Sequence, residues 1–174
     1  MIAKEIRKYF CSNCGAPALV RRGDYKFAES GLDYVILNNI ELIHCDICGN
    51  EDPIIRRSKR LMQQLLIGVA SKPEPLEGQD LRFIRKQLGL TQEKFGALIH
   101  TDKTTVSKWE NDADPIGPQS DLLIRSVAIS LGDVPKEIGR EIVEGFKDIA
   151  ATHTMQRLSV DAENDYRIQP TQAA

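Results

Sequence analysis

All four cysteines of this 174-residue chain sit in two short knuckles, Cys11-Ser12-Asn13-Cys14-Gly15 and Cys45-Asp46-Ile47-Cys48-Gly49. The two-residue spacing lets both sulfurs of a knuckle turn onto one centre. Each knuckle ends in glycine, which accepts the positive φ needed where backbone N–H groups fold back toward thiolates. Four thiolates from two such pairs make a closed tetrahedral set with no open position for water or substrate. The spacing therefore predicts a structural zinc site on Cys11, Cys14, Cys45 and Cys48. Iron in the same cage satisfies the same geometry, and the sequence leaves it open. Two disulfides would suit an exported chain, but Met1 leads into Lys4, Arg7 and Lys8 without an apolar signal core. Neither knuckle lies beside the βαβ pattern that a thioredoxin-like redox pair would want. His44, next to Cys45, reads as a strand residue rather than a ligand.

Apolar content of 41% and charged content of 28% describe a soluble globular chain. No apolar run approaches the roughly 20 residues that span a bilayer. A cysteine-only metal site without an export signal points to the cytoplasm. The net charge of -2 hides an uneven distribution: residues 1–72 hold 11 basic against 8 acidic side chains, and residues 133–174 hold 5 against 8. A mildly acidic protein is not a generic polyanion binder, so any nucleic-acid contact must come from a local face.

Between the knuckles, Ala18–Arg22, Asp24–Phe27, Tyr34–Leu37 and Ile40–His44 are short β-rich runs, broken by Gly23, Ser30-Gly31 and Asn38-Asn39. They predict a small antiparallel sheet that returns the second knuckle to the first, with metal supplying much of its folding free energy. Leu61, Met62, Leu65, Leu66 and Val69 then recur at helical spacing, after the basic run Arg56-Arg57-Ser58-Lys59-Arg60. That run is a candidate contact for phosphate or an acidic partner, or simply a solvated helix start. Pro73, Pro75 and Gly78 mark a linker.

Leu81, Ile84 and Leu88 form a helical stripe that Gly89 ends. Thr91 caps a second helix with Phe95, Leu98 and Ile99 as its stripe, and Asp102 caps a third over 103–110. In the third, Val106, Trp109 and Ala113 are expected to face inward, leaving Lys103, Thr104, Ser107, Lys108 and Asn111 outside. Gly96 leaves room for the two helices to cross. This is a helix-turn-helix. Further on, Leu122, Leu123, Val127 and Leu131 make one stripe and Ile138, Ile142, Phe146 and Ile149 another, available to complete the core or to meet a second copy.

Leu90-Thr91-Gln92-Glu93 followed by Thr104-Thr105-Val106-Ser107-Lys108-Trp109-Glu110 resembles the phage-repressor (Xre/Cro-like) helix-turn-helix family, over about residues 79–131. His100 stands where that family usually has glycine, and histidine is among the residues that tolerate the left-handed region. The resemblance implies that Gln92 holds a DNA phosphate and that the 103–108 helix enters the major groove. Lys103, Thr104, Thr105, Ser107 and Lys108 are then the candidate contacts to phosphates and base edges.

The whole arrangement of CxxCG, β-rich insert, CxxCG and helix-turn-helix is similar to the MqsA (YgiT-type) antitoxin family. That resemblance implies a zinc module that neutralises an RNA-cleaving toxin, and a homodimer that represses its own operon on a palindromic operator in double-stranded DNA. A stand-alone zinc-containing regulator, or a protein-binding adaptor without a toxin, remains as an alternative. No nucleophile–base pair, phosphate loop or carboxylate cluster points to an enzyme.

The expected fold class is α+β: a small β-rich zinc-binding module over residues 1–70, a linker over 71–79, an all-α five-helix repressor-like helix-turn-helix domain over 80–151, and a mobile tail over 152–174.

Overall fold

The computed structural model describes residues 9–149 and 157–169. Six strands form one sheet: β1 (Tyr9–Phe10), β2 (Pro17–Lys26), β3 (Val35–His44), β4 (Glu51–Pro53), β5 (Leu158–Asp161) and β6 (Arg167–Gln169). The order is β1-β2-β3-β5-β6, with β4 also on β3. β4 pairs with residues 42–44 and β5 with residues 35–38, so these two strands lie end to end along one edge of β3. The other edge of β3 carries β2.

The breaks expected at Gly23 and Asn38-Asn39 do not separate strands. β2 and β3 are each ten residues long, and Gly23 and Asn39 belong to one bulge where the register shifts between Gly23 and Tyr25. Asn39 takes φ 53, and its N–H donates to Asp24 Oδ1 at 3.0 Å. The bulge has a purpose visible in the burial pattern. Val35 and Leu37 face the core before it and Ile40 and Leu42 after it, so the extra residue restores the apolar phase.

Six helices follow: α1 (Ser58–Ser71), α2 (Gly78–Gln87), α3 (Gln92–Leu98), α4 (Lys103–Glu110), α5 (Pro118–Leu131) and α6 (Lys136–Gly145). The α+β class with a four-cysteine module and a helical region holds. A single apolar cluster, however, joins both parts. Val35, Leu37, Ile40 and Leu42 of the sheet share it with Leu61, Leu65 and Val69 of α1 and with Leu81, Ile84, Phe95, Val106 and Ile124 of the helices beyond. From Gln64 to Ala70 every residue of α1 is buried. A helix apolar on all sides is a central one, and α1 packs on α2, α5, α6 and β6.

The stretch expected to be a linker is a strap fastened to the fold, with Glu74, Leu76 and Gly78 buried. Arg125 of α5, with no exposed surface, donates to the carbonyls of Ala70 at 3.0 Å, Lys72 at 2.6 Å and Glu74 at 2.5 Å. The same guanidinium bonds Asp121, whose other oxygen accepts from the Leu76 N–H at 2.6 Å. A cation thus closes the carbonyl end of α1, where the helix dipole favours it. Asp80, fully buried in the first turn of α2, accepts from the Tyr34 hydroxyl and pairs with Lys72 at 2.5 Å, which ties β3 to the strap.

The C-terminal segment also departs from expectation. Residues 152–156 and 170–174 of the expected mobile tail lie outside the described residues, but Leu158–Asp161 and Arg167–Gln169 are strands of the N-terminal sheet. β5 runs parallel to β3, and Val160 has no exposed surface. The hairpin is seated where Gly68 leaves room on α1: a Cβ there would come within 2.9 Å of Leu158 and Ile168. Its turn is held by ion pairs from Arg57 at 2.7 Å and Arg60 at 3.2 Å to Asp165, while Arg56 pairs with Glu41. Three arginines of the basic run are therefore engaged within the fold.

Candidate nucleic-acid interface and four-cysteine centre

The two knuckles are copies of each other. Gly15 and Gly49 both take φ 72. Gly15 N–H donates to Cys11 O at 3.0 Å and Gly49 N–H to Cys45 O at 2.8 Å, while Cys11 and Cys45 donate to the carbonyls of Ala16 and Asn50. The β2–β3 pairing brings them together, with Leu19 opposite His44. All four sulfurs lie within 4.8 Å of one another, with Cys11–Cys48 and Cys14–Cys45 at 3.5 Å. At Cys14 the Ala16 N–H favours the thiolate, yet the neighbouring sulfurs outweigh it and push the thiol up to about 12. At Cys48 the Asn50 N–H and the neighbouring sulfurs draw the thiol down. Four thiols this close cannot all ionise together without a cation among them. The donor set fits a metal ion, closed and all-sulfur. His44 is a strand residue bonded through its ring nitrogens to Glu51 at 3.0 Å and Asp46 at 3.3 Å, and it is not among the clustered ligands.

In the helical region, local chemistry builds the helix pair. Thr91 caps α3 by accepting the Lys94 N–H at 3.2 Å, and Asp102 caps α4 by accepting the Thr105 N–H at 2.8 Å. Between them His100 takes φ 54, the turn position where glycine was the expected residue. Gly96 meets the turn closely: a Cβ there would lie 2.8 Å from the Thr101 carbonyl. Phe95 and Val106, both without exposed surface, hold the two helices onto the core.

The face these helices present divides the candidate residues. Lys103, Thr104 and Lys108 are exposed on α4, and Ser107 is half-buried beside them. Lys108 pairs with Asp114 at 3.2 Å, both side chains more than half exposed, so the pair is weak. Thr105 is different: its hydroxyl donates to Asp102 Oδ2 at 2.8 Å, which commits it to the helix cap. Ala113, expected to face inward, is exposed, because α4 ends at Glu110 and Asp112 turns the chain with φ 52.

Gln92 is held from within. Its amide donates to Glu110 Oε2 at 2.8 Å, which leaves the second amide N–H for an outside acceptor. Glu110, 3% exposed, also receives Arg85 through Nε to Oε1 at 2.5 Å and Nη2 to Oε2 at 3.1 Å. Burial pushes its carboxyl up, but the bonds from Arg85 and Gln92 and the nearby charges of Arg85 and Arg82 outweigh that and hold it below the usual glutamate range. Sequence reading missed Arg85 and Glu110 as positioning residues. Glu110 sits on the buried side of α4, and its charge was the available signal.

Helix α5 is built inside out. Its buried positions are Asp121, Ile124, Arg125 and Ala128, whereas Leu122, Leu123 and Leu131 stand 37%, 43% and 54% exposed. The three leucines of the stripe expected to enter the core or meet a twin thus lie on the surface, while Val127 packs against the core and Arg125 and Asp121 share the inner face with Ile124 and Ala128.

Residues 81–124 match the family described as helix-turn-helix, of the Xre-like kind. The matched region runs from α2 into α5 and contains the whole face just described. It supports a DNA-binding transcriptional regulator. No curated protein matches the chain, and no solved structure does. Among the described residues, no helix is long and apolar enough to cross a membrane.

Proposed function

We propose that this chain is a sequence-specific repressor that reads double-stranded DNA with α4, and the antitoxin of a type II toxin–antitoxin operon that it autoregulates. The carrying observation is the exposed reading face of α4 backed by a preset Gln92, within the helix-turn-helix match. Lys103 and Lys108 neutralise phosphate or meet guanine edges, and Thr104 and Ser107 approach bases. Gln92, oriented by Glu110, donates its remaining N–H to a backbone phosphate. The four cysteines hold zinc, which fixes the two knuckles and so the far end of the sheet.

The exposed leucines of α5 support a homodimer. Two copies joined there would set two α4 helices on half-sites about 34 Å apart, the geometry of a palindromic operator. The toxin would meet the zinc module. Beyond Ala18 the outer edge of β2 has no strand partner among the described residues, and Leu19 and Val20 are exposed on it at 66% and 41%. An open, apolar edge of this kind suits strand addition by a partner.

The test is affinity purification of the tagged chain from its native cells, followed by release of whatever co-purifies. A stoichiometric small protein that cuts RNA once freed supports the antitoxin reading. A bare zinc-loaded dimer that still binds its own promoter argues for a stand-alone regulator instead.

A further inference from the structure

A cavity of about 540 Å³ opens behind the reading helix, between the strap, the end of α4 and the start of α5. Its volume is within the usual range of small-molecule sites. Leu76, Trp109, Ile116, Leu122, Phe146 and Ile149 supply apolar walls. Among the described residues, the charged ones that line it are all acidic: Glu77, Asp112, Asp114 and Asp121, with no lysine, arginine or histidine.

Two of these carboxylates are already engaged by the fold. Asp121 serves Arg125 and Leu76, and Glu77 belongs to the capping box of α2. The remaining two are the available ones. Asp112 accepts only the Gly78 N–H, at 2.8 Å, and has no cation beside it among the described residues. Asp114 has only the weak surface pair with Lys108. An apolar cavity with a tryptophan wall and spare negative charge at its edge selects one ligand chemistry, an amphipathic cation. Its body buries apolar surface and its charge meets carboxylate.

We propose that this cavity binds a small aryl- or alkylammonium ion, with Asp112 and Asp114 meeting its charge and Trp109 meeting its apolar body. The site also has a route to DNA. Asp114 either holds Lys108 or holds the ligand, so an ammonium ion in the cavity releases Lys108 toward phosphate. Ligand and DNA then strengthen each other's binding reciprocally. This coupling rests on α4 being the DNA-reading helix; ligand binding itself does not.

Trp109 is the sole tryptophan, so its emission reports the cavity directly. The full-length, metal-loaded protein is titrated with phenethylamine, and in parallel with 2-phenylethanol and 3-phenylpropionate. The expected result is a saturable change in emission with phenethylamine, at least fivefold weaker binding of the neutral analogue and none of the anion. Asp112→Asn/Asp114→Asn, which keeps the hydrogen-bonding oxygen, should weaken the amine by up to about fivefold for each exposed charge lost.

No saturable response to the amine overturns the site, and shielding of Trp109 from acrylamide would show that the protein itself fills the space. Equal binding of all three probes overturns the selectivity for a cation. A second titration measures duplex DNA from the chain's own upstream region with and without saturating amine. About threefold tighter DNA binding is expected. Unchanged DNA affinity beside a positive emission titration overturns the coupling while leaving the site, and absence of DNA binding both with and without the amine instead strikes the DNA reading.

Discussion

Arg125→Met should cost this protein about 4 kcal/mol of stability, a large share of the roughly 5–15 kcal/mol that holds a domain folded. The figure follows from what the guanidinium touches. Arg125 has no exposed surface and donates to Asp121 and to the carbonyls of Ala70, Lys72 and Glu74. Methionine matches the length of the stem and fills the space, so cavity formation is a minor part of the effect. What is lost is the cation. Asp121, 4% exposed, would keep only the Leu76 N–H, and removing one partner of a buried pair costs about 3–5 kcal/mol. The three carbonyls each lose a donor, at about 1 kcal/mol apiece where water cannot replace it, and such losses add incompletely.

The assay is urea unfolding followed by Trp109 emission and by far-ultraviolet circular dichroism. Adding Asp121→Asn to Arg125→Met should recover about half the loss, because the stranded charge is gone while the carbonyls remain unpaired. A loss below about 1 kcal/mol in the single variant would refute the claim that this residue fastens α1 and the strap to α5. Separate transitions for the sheet and the helices in the unmutated protein would refute the shared core.

Glu110→Gln should destabilise the protein at pH 7. Because the folded carboxyl titrates below its ordinary value, that stabilisation is complete above the unfolded pKa of about 4.3 and disappears as the pH falls through the lower folded value. The gap between variant and parent in urea midpoint should therefore close as the pH is lowered below about 4. Val160→Asp places a charge at a position with no exposed surface and should unfold or loosen the β5–β6 hairpin, read as loss of amide protection over 158–169; unchanged protection would restore the tail to a passive role. Cys11→Ser should abolish stoichiometric metal binding and collapse the chemical-shift dispersion of both knuckles while the resonances of α3 and α4 stay native, since those helices share the core of α1 and not the four-cysteine centre.

The parts of this molecule visible in the sequence are those whose causes are local. A CxxCG knuckle carries its ligand spacing and its turn glycine within five residues. Thr91 and Asp102 announce the starts of α3 and α4, and His100 holds the left-handed turn that the helix pair requires. What stayed hidden depends on partners far along the chain. Nothing near Pro73 and Pro75 reveals that Arg125, some fifty residues away, fastens a proline-rich stretch to the core. The same substitution of roles hid the α5 stripe, whose leucines follow helical spacing but lie outside because the inner face is given to a salt bridge. Leu158–Asp161 is too short to declare itself, and its parallel partner β3 lies more than a hundred residues earlier. In the site, the Gln92 amide is set by Glu110 eighteen residues on, while Thr105 is the local exception, its hydroxyl committed to Asp102 three residues before.

The most direct test of the central claim is the affinity of the full-length, metal-loaded chain for duplex DNA from its own upstream region, measured by fluorescence anisotropy across salt concentration. The parent protein should prefer that sequence to a scrambled duplex by about a thousandfold or more. Lys103→Ala/Lys108→Ala should keep its circular dichroism and urea midpoint, bind more weakly, and show a log–log salt slope shallower by about 2. A folded double variant with unchanged affinity and slope, or a parent protein without sequence preference, would contradict the assignment of α4 as the helix that reads DNA.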